Sequence, residues 1–145
     1  MQGSGVVTRP DSSTVLLSLA RILLSAIFVF GASGTIRNFS EGVGDLRAKH
    51  FPMAPWVLGA AVSLEIAGAL SLISGFRPRW GAWGLVAFLV PVTLAYHNFW
   101  AYEGGTQGSQ LIHFLKNLAI LGGLLAVIVN SSKPCVPFKE KNGRT

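Results

Sequence analysis

Five side chains in this 145-residue sequence have types that do chemistry and stand in stretches otherwise poor in charge. They are Arg21, Glu65, His97, Lys116 and, beside the last, Asn117. A carboxylate and an imidazole are the groups that most often take or give a proton near neutrality. Glu65 and His97 are therefore the candidate catalytic residues. Arg21 and Lys116 carry charge, and Asn117 offers both donors and acceptors, so these three suit orienting a group or balancing its charge. A charge at the centre of a bilayer costs on the order of 2.5–3.5 kcal/mol on insertion scales, so such residues face the interior of a bundle and pair. Two uses are open. In one, Glu65 neutralises Arg21 or Lys116 and fixes helix register without any activity. In the other, the five residues line a polar pocket for a head group, a quinone or a proton.

Other chemistries find little support. A single cysteine, Cys135, excludes an internal disulfide and any multi-cysteine zinc or iron–sulfur site. It reads as an incidental, reduced thiol. His97 and His113 lie toward one side and His50 lies in a connection, so paired axial ligation of a haem is not expected. No HExxH, CxxC or carboxylate-rich set points to a metal. A serine–histidine–acid triad lacks an acid near His97 in the chain, although Glu65 could approach it in space. There is no phosphate-binding glycine loop.

The elements that must position these residues follow from composition. Half the residues are hydrophobic and 12% are charged, against roughly 25% charged in a soluble domain. Mean hydropathy is +0.50. Six acids and twelve bases are too few for the polar skin of a soluble fold. The charges cluster, and the gaps between clusters predict four spans near 15–36, 56–75, 80–100 and 111–129. Spanning backbone must satisfy its own hydrogen bonds and no period-two barrel pattern is present, so the spans read as helices. The expected fold is all-α, an integral membrane four-helix bundle over residues 14–131. Short tails flank it, 1–13 and a basic 132–145. Arg21 within the first apolar run, and the length of that run, speak for a retained span over a cleaved signal peptide.

Lysine and arginine counts orient the chain. Arg9, Arg77, Arg79, Lys133, Lys139, Lys141 and Arg144 fall on one side, and Arg37, Arg47 and Lys49 on the other, diluted by Glu41, Asp45 and Glu103. Both termini are thus expected in the cytoplasm. Basic residues at membrane flanks explain the net charge of +6 and leave no case for nucleic acid. At 1.5 Å per residue, His97 lies about 4–5 Å from the outer end and Lys116 about 7–8 Å. Glu65 lies about 13–14 Å deep and Arg21 about 22 Å. The expected picture is one buried polar column, with Glu65 between two cations.

The 37–55 connection carries Phe39, Val43, Leu46 and His50 at helical spacing, which predicts a short helix in the interface or capping the bundle. Ser63, Ala67, Ser71 and Gly75 recur every four residues in the second span. Gly34, Gly68, Gly122 and Gly123 add further small sites for helix packing. Pro91 removes a donor from the third span and predicts a kink.

Four pieces, in order, resemble the DoxX family of membrane proteins over roughly residues 19–129. They are Arg21 with its apolar run and Gly34-Thr35-Ile36-Arg37; Phe51-Pro52 through Glu65-Ile66-Ala67-Gly68; His97-Asn98-Phe99-Trp100; and the most specific, His113 through Gly123. Arg37 stands where the family commonly has lysine. The resemblance implies a bacterial inner-membrane protein with four helices. It implies relatives that are subunits of thiosulfate:quinone oxidoreductase, and others linked to oxidative-stress complexes. On that basis the expected function is a membrane component of a quinone-linked redox or oxidative-stress system. It would have no resident cofactor, quinone as the exchangeable ligand, and a protein partner subunit or a second copy of itself in the bilayer. A non-enzymatic assembly or scaffold subunit and a small-molecule or ion carrier are the alternatives.

Overall fold

In hydrocarbon a chain segment must satisfy its backbone within itself, and every long apolar stretch here does so as a helix. The computed structural model describes residues 12–131. Expectations for Arg9, Cys135 and the basic tail fall outside them. Five α-helices follow one another: α1 (Ser12–Arg37), α2 (Phe39–Ala48), α3 (Ala54–Ser74), α4 (Pro78–Tyr96) and α5 (Gly104–Asn130). A single 3-10 turn, Phe99–Ala101, joins the last two. No strand occurs among the described residues. Among the described residues, four helical segments are long and apolar enough to cross a membrane: Ser12–Arg37, Ala54–Ser74, Pro78–Ala101 and Gly104–Asn130. The shortest, 21 residues, spans about 31 Å, close to the hydrocarbon thickness. The fourth starts at Gly104 and not near 111, because α5 runs on past the apolar core as a polar, glycine-rich first turn.

The helices pack in the order α1, α3, α4, α5, and α5 returns to α1 over only a short stretch. The core is Phe28 of α1, Ala69 and Leu72 of α3, Ala82, Leu85 and Leu89 of α4, and Leu124 and Ile128 of α5. Its closest approach is between α3 and α4. A Cβ placed on Gly68 would stand 2.6 Å from Leu85 Cγ and 3.1 Å from the carbonyl oxygen of Gly81. One placed on Gly81 would overlap Ser71. The turn between these helices is built for this contact. Gly75 ends α3 at φ +71°, the usual glycine stop. Arg77 follows at φ +48°, and Pro78 opens α4 with φ already set for a helix. The Ser71 hydroxyl donates to the carbonyl of Phe76 at 2.8 Å and closes the turn.

The buried face of α3 is Val62, Glu65, Gly68, Ala69 and Leu72, whereas Ser63 and Ala67 of the four-residue stripe are exposed. Gly34 and Gly122 have open space where a side chain would be, while Gly123 lies against Leu24. Of the small residues expected to pack, Gly68, Ser71 and Gly123 thus lie at helix contacts, while Ser63, Ala67, Gly34 and Gly122 do not. In a helix apolar on all sides, small residues point outward as readily as inward.

α2 lies across the end of the bundle where α1 finishes, α3 begins and α4 finishes. Val43 and Leu46 pack with Ala54, Phe39 and Leu58. Gly42 lets α2 come close to Leu58, since a Cβ there would stand 2.9 Å from Leu58 Cδ2. Just past α2, Lys49 donates to the carbonyl of Ala95 at 3.0 Å. Its Nζ also sits 5.0 Å from the centre of the Tyr96 ring. α2 is therefore packed on α3 at one side and tied to the end of α4 at the other.

Candidate functional site

Beneath α2 the helices enclose a half-open cavity of about 600 Å³. Its walls are mostly apolar, among them Val57, Leu58, Val62, Phe88 and Val92. Its polar groups are Thr35 from α1, Asn38, Glu41 and Asp45 from the α2 side, Tyr96 and His97 from the end of α4, and Glu65 from α3. Pro91 and Ala87 also line it. α4 continues as one helix through Pro91, and proline leaves the Ala87 carbonyl without its intrahelical donor. The cavity thus holds acceptors and three carboxyls, Glu65 the most buried, in a largely apolar setting.

Glu65 is the deepest of these groups, 5% exposed. Its position depends on α1: a Cβ on Gly31 would lie 2.9 Å from Glu65 Oε1. Only glycine leaves room for the carboxyl against the α1 backbone. Among the described residues, Glu65 has neither an ion pair nor a hydrogen bond. The expected pairing with Arg21 or Lys116 does not form. Depth along the membrane normal says nothing of rotation, and both cations point elsewhere.

Lys116 is exposed on α5, with Nζ 3.4 Å from His113 Nδ1. His113 in turn stacks on His97, ring centres 5.1 Å apart. His97 Nδ1 lies 2.9 Å from Gln110 Oε1. With Oε1 as acceptor, Nδ1 carries the proton, and Nε2 of the neutral ring is left to accept. His97 and Lys116 therefore share one level, as expected, but through His113. Phe99, Trp100 and Phe114 meet edge to face beside them and hold the connection against α5.

Asn117 is buried elsewhere. Its Nδ2 donates to Thr93 Oγ1 at 2.9 Å, and Thr93 donates to the Leu89 carbonyl at 2.7 Å. These two bonds link α5 to α4. Arg21 lies toward the opposite end of the bundle, where Nη2 donates to Ser18 Oγ at 3.1 Å. The expected single column is thus three separate places: Glu65 with His97 lining one cavity, an α4–α5 link at Asn117, and Arg21 near the α3–α4 turn. Gly31, Tyr96, Glu41 and Asp45 belong with the first and were not singled out for it. No residue spacing joins groups from four different segments. Among the described residues, no cluster of three histidine, cysteine or acidic side chains is placed to hold a metal.

Comparison with known proteins gives a concordant result. The DoxX family model matches residues 16–98. The chain is 27% identical to the inner membrane protein YphA of Escherichia coli K12 over 115 residues, 79% of this chain and 82% of that one. It is 27% identical to the inner membrane protein YqjF of the same organism over 111 residues, 77% and 80%. No solved structure matches.

Proposed function

Because this chain belongs to the DoxX family, we propose that it is a multi-pass inner-membrane component of a quinone-linked redox or oxidative-stress system, and that the cavity beneath α2 receives the quinone ring. One observation carries this reading: Glu65 is a buried carboxyl with no partner among the described residues, lining an apolar cavity open to a ligand. A polar group left unpaired in such a place is costly, and in membrane proteins it marks a functional position by default.

The cavity suits the group. Its volume falls within the range of small-molecule sites, about 300–1,000 Å³. A quinone has a flat apolar ring with carbonyl oxygens that accept hydrogen bonds, and it supplies two-electron carrier chemistry when bound. The residues would divide the work by type. Protonated Glu65 can donate to a carbonyl oxygen at the inner end. His97, anchored by Gln110 and His113, stands at the α4 side with one ring nitrogen unused. Phe88, Val92 and Leu58 exclude water from the ring. Glu65 then exchanges its proton with the aqueous side past Glu41, Asp45 and His97, which line the same cavity. When bound, the quinone would supply the electron-carrying chemistry and would exchange electrons with a partner subunit.

Orientation belongs to the same reading. Arg77 and Arg79 lie at the α3–α4 turn, and the opposite end mixes Arg37, Arg47 and Lys49 with Glu41, Asp45 and Glu103. With Arg9 and with Lys133, Lys139, Lys141 and Arg144 of the terminal segments counted on the side of Arg77 and Arg79, seven bases stand against three, which supports a turn and termini in the cytoplasm and a cavity on the periplasmic side.

The test is mass spectrometry of lipid extract and co-purifying proteins from chain isolated gently from its own membrane. The reading expects near-stoichiometric quinone, lost in Glu65→Leu at equal protein yield. Leucine is close in size and breaks no pair, so yield is expected to hold. No quinone, with one partner retained in fixed ratio, would make the chain an assembly subunit.

A further inference from the structure

A second cavity, of about 710 Å³, lies at the opposite end of the bundle, along the seam where α1 and α5 barely touch. Its chemistry is divided. Arg21, Arg77 and Arg79 bring charge to its wall, with Trp80, Asn130 and Ser131. Leu17, Leu24, Ala126 and Val127, with Gly123, supply an apolar furrow between α1 and α5. The charges there are not neutralised by the described chain. Its acids, Glu41, Asp45, Glu65 and Glu103, all belong to the α2 half or the connection after α4. Arg21 Nε is buried and has no hydrogen-bond partner. Its guanidinium lies beside Gly75, where a Cβ would be 3.5 Å from both terminal nitrogens. The fold holds an arginine in place and leaves one of its donors unused.

We infer that this cavity is a binding site for an anionic phospholipid, with the phosphate on Arg21, Arg77 and Arg79 and one acyl chain in the furrow between α1 and α5. Each half argues for the other. Guanidinium groups match phosphate oxygens in a two-pronged geometry and retain their charge at any physiological pH. Free phosphate would use the arginines and leave the furrow unexplained. A neutral lipid tail would use the furrow and leave three cations unexplained. The level also fits. Arg21 is within the first turns of α1, and Trp80 marks headgroup depth at the start of α4. The acyl chain completes the bundle at its open seam, so the lipid acts as a missing piece of packing between α1 and α5.

Native mass spectrometry of the full chain in a neutral detergent tests this, with dioleoylphosphatidylglycerol and dioleoylphosphatidylcholine as probes. The expected result is one phosphatidylglycerol per chain, retained over phosphatidylcholine. That preference should fall roughly fivefold for each arginine removed in Arg77→Gln and in the double variant R77Q/R79Q. Both arginines are exposed, so these variants are expected to fold. Ala126→Trp fills the furrow, and should abolish retention while all three arginines remain. Equal retention of the two lipids would overturn the inference. So would a preference unchanged in the double variant. Displacement by millimolar inorganic phosphate, with Ala126→Trp without effect, would make this a site for free phosphate instead. Glu65→Leu leaves this site intact, so loss of quinone binding there and loss of lipid binding here are separate outcomes.

Discussion

The carboxyl of Glu65 on α3 rests against the backbone of α1 at Gly31, so close that a single added carbon would stand 2.9 Å from Oε1. A glycine in a helix interior is unfavourable by roughly 0.5–1 kcal/mol relative to alanine. Here it provides the space in which an unpaired acid reaches its cavity. Gly31→Ala should fold with melting temperature close to the parent, because the atom it meets is the end of a flexible side chain. The carboxyl is then displaced, and quinone retention should fall severalfold. Unchanged retention in Gly31→Ala would show that the placement of Glu65 does not matter.

Glycines that look alike in the sequence should behave oppositely. Gly68→Ala must push on Leu85 and on the Gly81 carbonyl, and overpacking of that kind costs about 1–3 kcal/mol. Gly34→Ala and Gly122→Ala meet open space and should be neutral or stabilising by about 0.5–1 kcal/mol. Denaturation of the three variants in one detergent gives the comparison. Equal effects would contradict the α3–α4 contact described above.

How far the sequence foretold the molecule can be read from these positions. The four spans, the short helix after the first and the shared level of His97 and Lys116 were all legible, since they depend on hydropathy and on rise per residue. Rotation about each helix was not. The outward face of a membrane helix is as apolar as the inward one, so Ser63 and Ala67 resembled packing residues while Gly81 drew no notice. For the same reason, Glu65 and Arg21 looked like partners by depth and turned out to serve opposite ends. Cavities assembled from α1, α2, α3 and α4 together have no signature in spacing.

The link between Thr93 and Asn117 is expected to be structural. Thr93→Val or Asn117→Leu alone leaves a buried partner unsatisfied and should cost about 1–3 kcal/mol. The double variant should cost less than the sum, with a coupling on the order of 0.6–1.7 kcal/mol. Additive effects in denaturant titrations would mean that the two side chains do not interact. Quinone retention should be unaffected wherever the fold survives.

Lys49 ties α2 to the end of α4 through the Ala95 carbonyl and the Tyr96 ring. Lys49→Ala should leave the transmembrane helices as protected as before and raise amide exchange in residues 39–48. Exchange unchanged in that segment would show that packing on Leu58 and Ala54 is sufficient to hold α2.

The central claim is that a quinone ring occupies the cavity lined by Glu65. Photolabelling of the purified chain with an azido-quinone, followed by peptide mapping, tests it most directly. The account predicts labelling confined to the cavity wall, residues 34–46, 57–65 and 87–97, competed by unlabelled quinone and lost in Glu65→Leu. Labelling spread over the lipid-facing residues, or unchanged in Glu65→Leu, would contradict it.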